Sequence, residues 1–139
     1  MLKIKYDFNL MKYMSMFEAL TKARVKDCFV DDLKQLVFVV QENEIGKAIG
    51  KKGSNVKRLE SALKKKIRII EFNPDLVAFV KNMIYPVQAK GIEEKDSVIT
   101  IQSPDLRSRG MLIGRGAQYL RNFEKIAKRY FNISEIKIV

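Results

Sequence analysis

Residues 45–59 read IGKAIGKKGSNVKRL, a glycine turn between two short amphipathic segments. At its centre, Gly50 and Gly53 allow backbone conformations that a Cβ would forbid. A helix is predicted to begin at Ser54, whose hydroxyl is expected to cap the first backbone N–H groups. Because a helix N-terminus carries partial positive charge and unpaired donors, this junction favours an anion.

Cations crowd the same junction. Lys51 and Lys52 lie at the tip of the turn, and Lys57 and Arg58 lie in the first turns of the helix. An apolar residue, Gly-basic-basic-Gly and an amphipathic helix match the loop with which a KH domain clamps about four nucleotides. A P-loop is excluded, because its glycines enclose four residues and end in Gly-Lys-Ser/Thr. A plain glycine turn with solvated lysines remains the alternative at this point.

Length and composition limit the class of protein. A chain of 139 residues fits one ordinary domain or two very small ones, and 47% apolar residues exclude a disordered chain. The longest apolar runs are too short to span a bilayer. The absence of a secretory signal and the single Cys28 favour a cytoplasmic protein with no membrane partner.

The residue types also argue against catalysis. With no histidine and one cysteine, a zinc site or a Cys–His nucleophile lacks its ligands. The carboxylate pairs at residues 31–32 and 93–94 are interpreted as turn residues rather than acid–base pairs. We therefore predict no enzyme activity, no cofactor, no metal and no small-molecule substrate.

Positive charge is concentrated in two segments. The net charge of +11 comprises +7 in residues 44–70, +5 in residues 104–131 and −1 in the remainder. Each basic segment contains a glycine turn. This distribution predicts a polyanionic partner.

The hydrophobic pattern predicts the order helix, strand, strand, helix, helix, strand twice. The first set covers residues 7–23, 24–30, 35–41, 45–49, 54–65 and 67–72, after a predicted extended arm over residues 1–6. The second set covers residues 75–84, 87–92, 97–102, 104–113, a helix ending at residue 131, and 133–139. Ser103 is the expected cap of the helix at 104–113. Asn73-Pro74 marks the boundary, which predicts domains over residues 1–73 and 74–139.

An internal duplication relates the two sets. With an offset of 64 residues, GKAIGK at 46–51 aligns with GMLIGR at 110–115 without a gap. The second loop reads Gly114-Arg115-Gly116-Ala117, so Ala117 replaces Gly53. Because of this change, the sequence does not determine whether the second loop has the same geometry as the first. We expect the second unit to grip phosphates less well. Its arginines are expected to compensate in part.

Two units with IGKKG and IGRGA loops resemble paired type II KH domains and, more narrowly, the short archaeal NusA-like transcription termination/antitermination proteins. The resemblance is carried by residues 13–21, 24–28, 48–53, 56–60 and 113–116. It implies an α+β fold of two tandem type II KH domains, each with a three-stranded sheet covered by helices. It also implies that the partner is single-stranded RNA.

Bacterial members of that family carry a polymerase-binding domain and an OB-type domain, which do not fit into 139 residues. Polymerase contact is therefore not carried over, and RNA polymerase or a transcription complex is kept only as a candidate partner. A KH-type RNA-binding protein of the ribosome or of ribosome assembly is the alternative. An enzyme that holds nucleotide phosphates at its glycine turns is opposed by the absence of a magnesium ligand beside them.

The candidate RNA-binding residues share a position at or beside the two loops. In the first unit they are Lys47, Ile49, Gly50, Lys51, Lys52, Gly53, Asn55, Lys57 and Arg58. In the second unit they are Arg107, Arg109, Gly114, Arg115, Gly116 and Arg121. Ile49 is interpreted equally well as a floor for unstacked bases or as a core residue. Tyr119 is the best candidate for stacking on a base.

Overall fold

Each half of the chain folds through the predicted order helix, strand, strand, helix, helix, strand. This order is seen in a computed structural model that describes residues 8–139; the predicted arm at residues 1–6 lies outside the described residues. Backbone contacts divide the chain into two compact units, one ending at Asn73 and the other covering Pro74–Val139.

The elements of the first unit are α1 (Phe8–Thr21), β1 (Val25–Val30), β2 (Leu36–Val40), α2 (Ile45–Ile49), α3 (Ser54–Leu63) and β3 (Ile67–Glu71). Those of the second unit are α4 (Leu76–Ile84), β4 (Gly91–Lys95), β5 (Val98–Gln102), α5 (Leu106–Ile113), α6 (Gln118–Lys128) and β6 (Glu135–Ile138). A short 3₁₀ turn joins the last two helices of each unit, at Lys51–Gly53 and at Arg115–Ala117.

Both units contain a mixed three-stranded sheet with the same topology. β1 pairs with β2 in the antiparallel sense, and β2 pairs with β3 in the parallel sense. β4, β5 and β6 repeat this arrangement. Parallel neighbours require a crossover connection. In each unit two helices and the glycine loop between them form that crossover, so the loop lies outside the sheet.

The core of the first unit holds α1, α2 and α3 against its sheet. All five residues of β2 are buried, and the rings of Phe17 and Phe38 stack at 4.2 Å between centroids. Ala48 and Leu59 belong to the same buried cluster. Both helices that flank the loop are therefore fastened to the core by one buried residue each.

A glutamate in each unit ties the helix after the loop to the last strand. Glu60 Oε2 accepts a hydrogen bond from the N–H of Ile67 at 3.1 Å, and Glu124 Oε2 accepts one from the N–H of Ile136 at 2.9 Å. The two glutamates are related by the 64-residue offset. A hydrogen bond from a backbone N–H to a carboxylate is stronger than one to a neutral acceptor.

Glu44 makes a comparable junction before α2. Its Oε1 accepts a hydrogen bond from the N–H of Arg24 at 2.9 Å, and Lys47 Nζ lies 3.3 Å from its Oε2. The Arg24 N–H holds the pKa of Glu44 below its ordinary value; Lys47 acts in the same sense, and burial acts against both. The carboxylate therefore joins the start of β1 to the start of α2.

The start predicted for the helix at 104–113 is wrong. Asp105, not Ser103, is the N-cap of α5, and its Oδ1 accepts a hydrogen bond from the N–H of Ser108 at 2.7 Å. Ser103 instead donates through its N–H and its hydroxyl to the carbonyl of Val139, at 2.8 and 2.6 Å. This pairing keeps Ser103 in line with the sheet, so the helix begins later. Asp75 caps α4 in the same way.

The second hairpin is also displaced from its predicted position. β4 continues through Lys95, and only Asp96 and Ser97 connect it to β5. Both residues are left-handed, with φ of 52° and 66°, as a two-residue type I′ hairpin requires. The carboxylates of Glu93 and Glu94 therefore belong to a strand rather than to the turn. The first hairpin turn is confirmed: Asp31 Oδ1 accepts hydrogen bonds from two N–H groups of its own turn.

Helices α3 and α6 end earlier than predicted. Lys64 leaves α3 in a left-handed conformation at φ 53°, so the helix stops at Leu63. In α6 the regular helix stops at Lys128, and Arg129 and Tyr130 continue only in tightened turns, whose N–H groups bond three residues back.

We expect Phe17→Ala to lower the free energy of unfolding by about 3–5 kcal/mol, because it removes a fully buried ring and leaves a cavity. Phe8→Ala is the matched control on the same helix, since Phe8 is 81% exposed, and its effect should stay within about 0.5 kcal/mol. Urea unfolding followed by circular dichroism measures both. Equal losses in the two variants would contradict the packing of α1 described above.

Glu44→Gln should make the stability of the protein less dependent on pH in the acidic range. A carboxylate whose folded pKa is lowered stabilises the fold above its unfolded pKa, and this contribution is lost as the pH falls through the folded value. The variant should therefore melt below the wild type at about pH 7, and the difference should shrink toward about pH 3.5. Melting temperatures across this range test the expectation. The exposed neighbour Glu42→Gln is the control and should melt close to the wild type at about pH 7.

Candidate nucleic-acid interface

The first loop reverses the chain between α2 and α3 at Gly50. Its backbone lies at φ 76° and ψ 171°, which favours glycine. A Cβ at this position would come within 2.8 Å of Asn55 Cγ and 2.9 Å of Ser54 Oγ. Both the backbone conformation and the lack of space therefore require glycine here.

Asn55 braces this loop from the inside. Its Nδ2 donates a hydrogen bond to the carbonyl of Lys47 at 2.8 Å, across the turn and over Gly50. The structure thus gives Asn55 a bond within the loop in addition to its predicted contact with RNA. Sequence reasoning missed this brace, for which spacing alone carries no signal.

The predicted cap of α3 is wrong. Gly53 occupies the N-cap position, in a left-handed conformation with φ 72°, and it has no side chain to accept a hydrogen bond. Ser54 already has helical angles of −60° and −39°, so its hydroxyl is not placed as a cap. The first helical turn therefore starts directly from the loop backbone.

The second loop has nearly the same backbone conformation as the first. Its leading glycine lies at φ 75° and ψ 173°. Two successive left-handed residues follow in each loop: Lys52 and Gly53 at φ 55° and 72°, and Gly116 and Ala117 at φ 61° and 60°. The replacement of Gly53 by Ala117 therefore leaves the geometry unchanged. Each loop places one glycine and one non-glycine residue in the left-handed pair.

Tyr119 takes the place of Asn55 in the second loop. Its ring covers Gly114, and a Cβ added to that glycine would lie 2.8 Å from Tyr119 Cγ. The side chain remains 37% exposed. The two loops are thus built on the same close approach to their leading glycine, by an amide in one and by an aromatic ring in the other.

The lysines at the first loop face solvent. Lys51 and Lys52 are exposed at its tip, and Lys57 and Arg58 are exposed on α3. These last two line a shallow groove between α1 and α3 that also includes Leu20. Lys47 is exposed as well, although its ammonium pairs with Glu44 as described above.

The predicted cations of the second unit are all exposed: Arg107, Arg109, Arg115 and Arg121. Asn122, at the position that matches Arg58, is buried, so this cation has no counterpart. Ile49 is half-buried beside the first loop, whereas Ile45 packs against the core of the first unit.

The described residues include neither a metal-binding cluster nor a helix that could span a membrane. Between residues 8 and 139 no cluster of three or more carboxylate, cysteine or histidine side chains is arranged to hold a metal ion. None of the helices described in that range has the length and apolar content to cross a bilayer.

Comparisons with known proteins agree with this geometry. The family model of the KH domain matches residues 12–88. The "Probable transcription termination protein NusA" of Methanococcus vannielii is 36% identical, over 99% of this chain and 81% of that protein. The protein of the same name from Methanocaldococcus jannaschii is 30% identical, over 100% of this chain and 77% of its own length. The crystal structure of APE1850 matches with a TM-score of 0.76 and 27% identity, over 96% of this chain and 100% of that one.

None of these relatives is named as a ribosomal protein, so the ribosome alternative gains no support. The KH domain is a nucleic-acid-binding module rather than a catalytic one. Since the KH match covers more than half of the chain and the relatives align along nearly all of it, the chain belongs to the archaeal NusA-like family of RNA-binding KH proteins.

Proposed function

We propose that this protein binds single-stranded RNA and grips its backbone with the loop Gly50-Lys51-Lys52-Gly53. The observation that carries the proposal is the construction of this loop. Its leading glycine leaves no room for a Cβ, its last glycine starts α3 without a side-chain cap, and its two lysines are exposed. A helix N-terminus without a side-chain acceptor favours an external anion.

The loop grips the sugar-phosphate chain in two ways. The N–H groups at the start of α3, which no side chain caps, bind a phosphate, and Lys51 and Lys52 neutralise phosphates beside them. Lys57 and Arg58 continue the basic surface along the groove between α1 and α3. Such contacts provide affinity without sequence preference.

We propose further that residues 1–73 and 74–139 are two KH domains. The KH model itself matches only as far as residue 88. The second domain is supported by the repeated element order, the repeated sheet topology and the nearly identical backbone of the two loops. In the second domain, Arg107, Arg109, Arg115 and Arg121 supply the cations.

The RNA is proposed to be a transcript. The relatives from Methanococcus vannielii and Methanocaldococcus jannaschii are named as probable transcription termination proteins. We therefore propose a role in termination or antitermination, with RNA polymerase or a transcription complex as the partner. Co-purification with polymerase rather than with ribosomal subunits is the outcome that this role requires.

Fluorescence anisotropy with short fluorescent oligonucleotides tests the RNA clamp. We expect the protein to bind single-stranded RNA more tightly than matched single-stranded DNA or duplex RNA. The double substitution Lys51→Asp, Lys52→Asp should abolish binding and leave the melting temperature unchanged, because both side chains are exposed. In milder alanine variants, each lost phosphate contact should lower the salt slope by about 0.7.

The matched control is Lys65→Asp, Lys66→Asp, which makes the same change in net charge in the exposed segment between α3 and β3. It should retain most of the affinity. If the two double variants lose affinity equally, the charge acts as a general basic face and the clamp is misplaced.

The glycines of the first loop should differ in what they tolerate. Gly50→Ala places a Cβ against Asn55 and Ser54, so both stability and RNA affinity should fall. Gly53→Ala meets no atom within 4 Å, and Ala117 already adopts the same conformation in the second loop. It should cost only about 1 kcal/mol of stability, with affinity nearly preserved. Thermal unfolding and anisotropy of both variants decide this, and equal sensitivity would contradict the loop geometry.

A further inference from the structure

The two loops share a backbone but present different side chains. The first loop carries lysines at its tip, at Lys51 and Lys52. The second loop has Arg115 and Gly116 at those positions, so it has one tip cation instead of two. The four cations predicted at or beside this loop are exposed, and all are arginines. The difference lies in chemistry rather than in shape.

Apolar side chains are exposed only at the second loop of this pair. Met111 is 54% exposed and Tyr119 is 37% exposed. They replace Lys47 and Asn55, whose backbone carbonyl and side-chain amide are hydrogen-bonded to each other across the first loop. By the 64-residue offset, Met111 and Tyr119 occupy the two positions that this bond joins across the first loop. The second loop therefore exposes apolar side chains at positions where the first loop carries polar ones.

The ring of Tyr119 is held in place by its contact with Gly114. A ring that is already fixed loses little conformational freedom when a planar partner stacks on it. Single-stranded RNA offers such partners, because its unstacked bases stack on aromatic rings and on arginine guanidinium planes. Lysine is a compact point charge, whereas the guanidinium of arginine is planar and stacks.

We propose that the second loop is a base-stacking site, in which one unstacked base of the RNA lies on Tyr119 beside Met111. Arg115 and Arg121 flank this base and contact it or its phosphate. The first loop then supplies most of the phosphate contacts, and the second holds a base. This division of labour rests on the proposed binding of single-stranded RNA.

The test uses the full chain and a short single-stranded RNA with 2-aminopurine in its centre. In the wild type, stacking should quench the fluorescence of 2-aminopurine on binding. Tyr119→Ala should weaken binding about tenfold and remove the quenching, since a stacked base is worth that order of affinity. The salt slope should not change, because no phosphate contact is lost.

Two further variants keep the test interpretable if Tyr119→Ala unfolds. Tyr119→Phe retains the ring and should bind and quench like the wild type. Tyr119→Asn introduces the residue of the first loop, whose amide can brace the turn through the carbonyl of Met111. It should keep the melting temperature but lose the quenching.

The outcomes separate this inference from the RNA clamp. If Tyr119→Asn binds and quenches like the wild type while Lys51→Asp, Lys52→Asp abolishes binding, the stacking site is wrong and the clamp stands. A lower salt slope in Tyr119→Asn would also overturn it, because it would assign a phosphate contact to this position. Failure of the wild type to bind single-stranded RNA would overturn the proposed function and this inference with it.

Discussion

The candidate nucleic-acid interface depends on one constraint: in each glycine loop, a side chain lies close against the leading glycine. Asn55 lies over Gly50, and Tyr119 lies over Gly114, at distances that no Cβ could accept. The chain can therefore leave one helix and enter the next within a single short turn. Because a side chain of the loop covers the leading glycine, the residues that follow it, such as Lys51 and Lys52, face solvent.

The sheet and helices hold this turn by connections that are the same in both units. A parallel pair of strands needs a crossover, and the two helices with their loop provide it. Buried residues anchor the helices. Glu60 bonds α3 to β3, and Glu124 bonds α6 to β6. The exposed loop can therefore vary its side chains without changing the frame: the first loop carries lysines, and the second carries arginine, methionine and tyrosine.

Left-handed residues explain how the loops differ in sequence but not in shape. Each loop needs two successive left-handed residues, and a glycine at either position lowers the steric cost. The first loop uses glycine at the second position, and the second loop uses it at the first. The missing glycine at Ala117 is thus compensated by Gly116. A motif defined by two glycines three residues apart would overlook this equivalence.

The sequence alone determined the order of elements, the Asp31 turn and the two basic segments, since these follow from local periodicity and charge. It did not determine the helix caps, because a cap depends on the backbone conformation of its residue. Ser54 is already helical, and the hydroxyl of Ser103 donates to the carbonyl of Val139, just after β6. Only the tertiary structure decided the bond from Asn55 to Lys47 and the contact of Tyr119 with Gly114. Those contacts join residues across a turn, and their formation depends on backbone angles that more than one sequence can adopt.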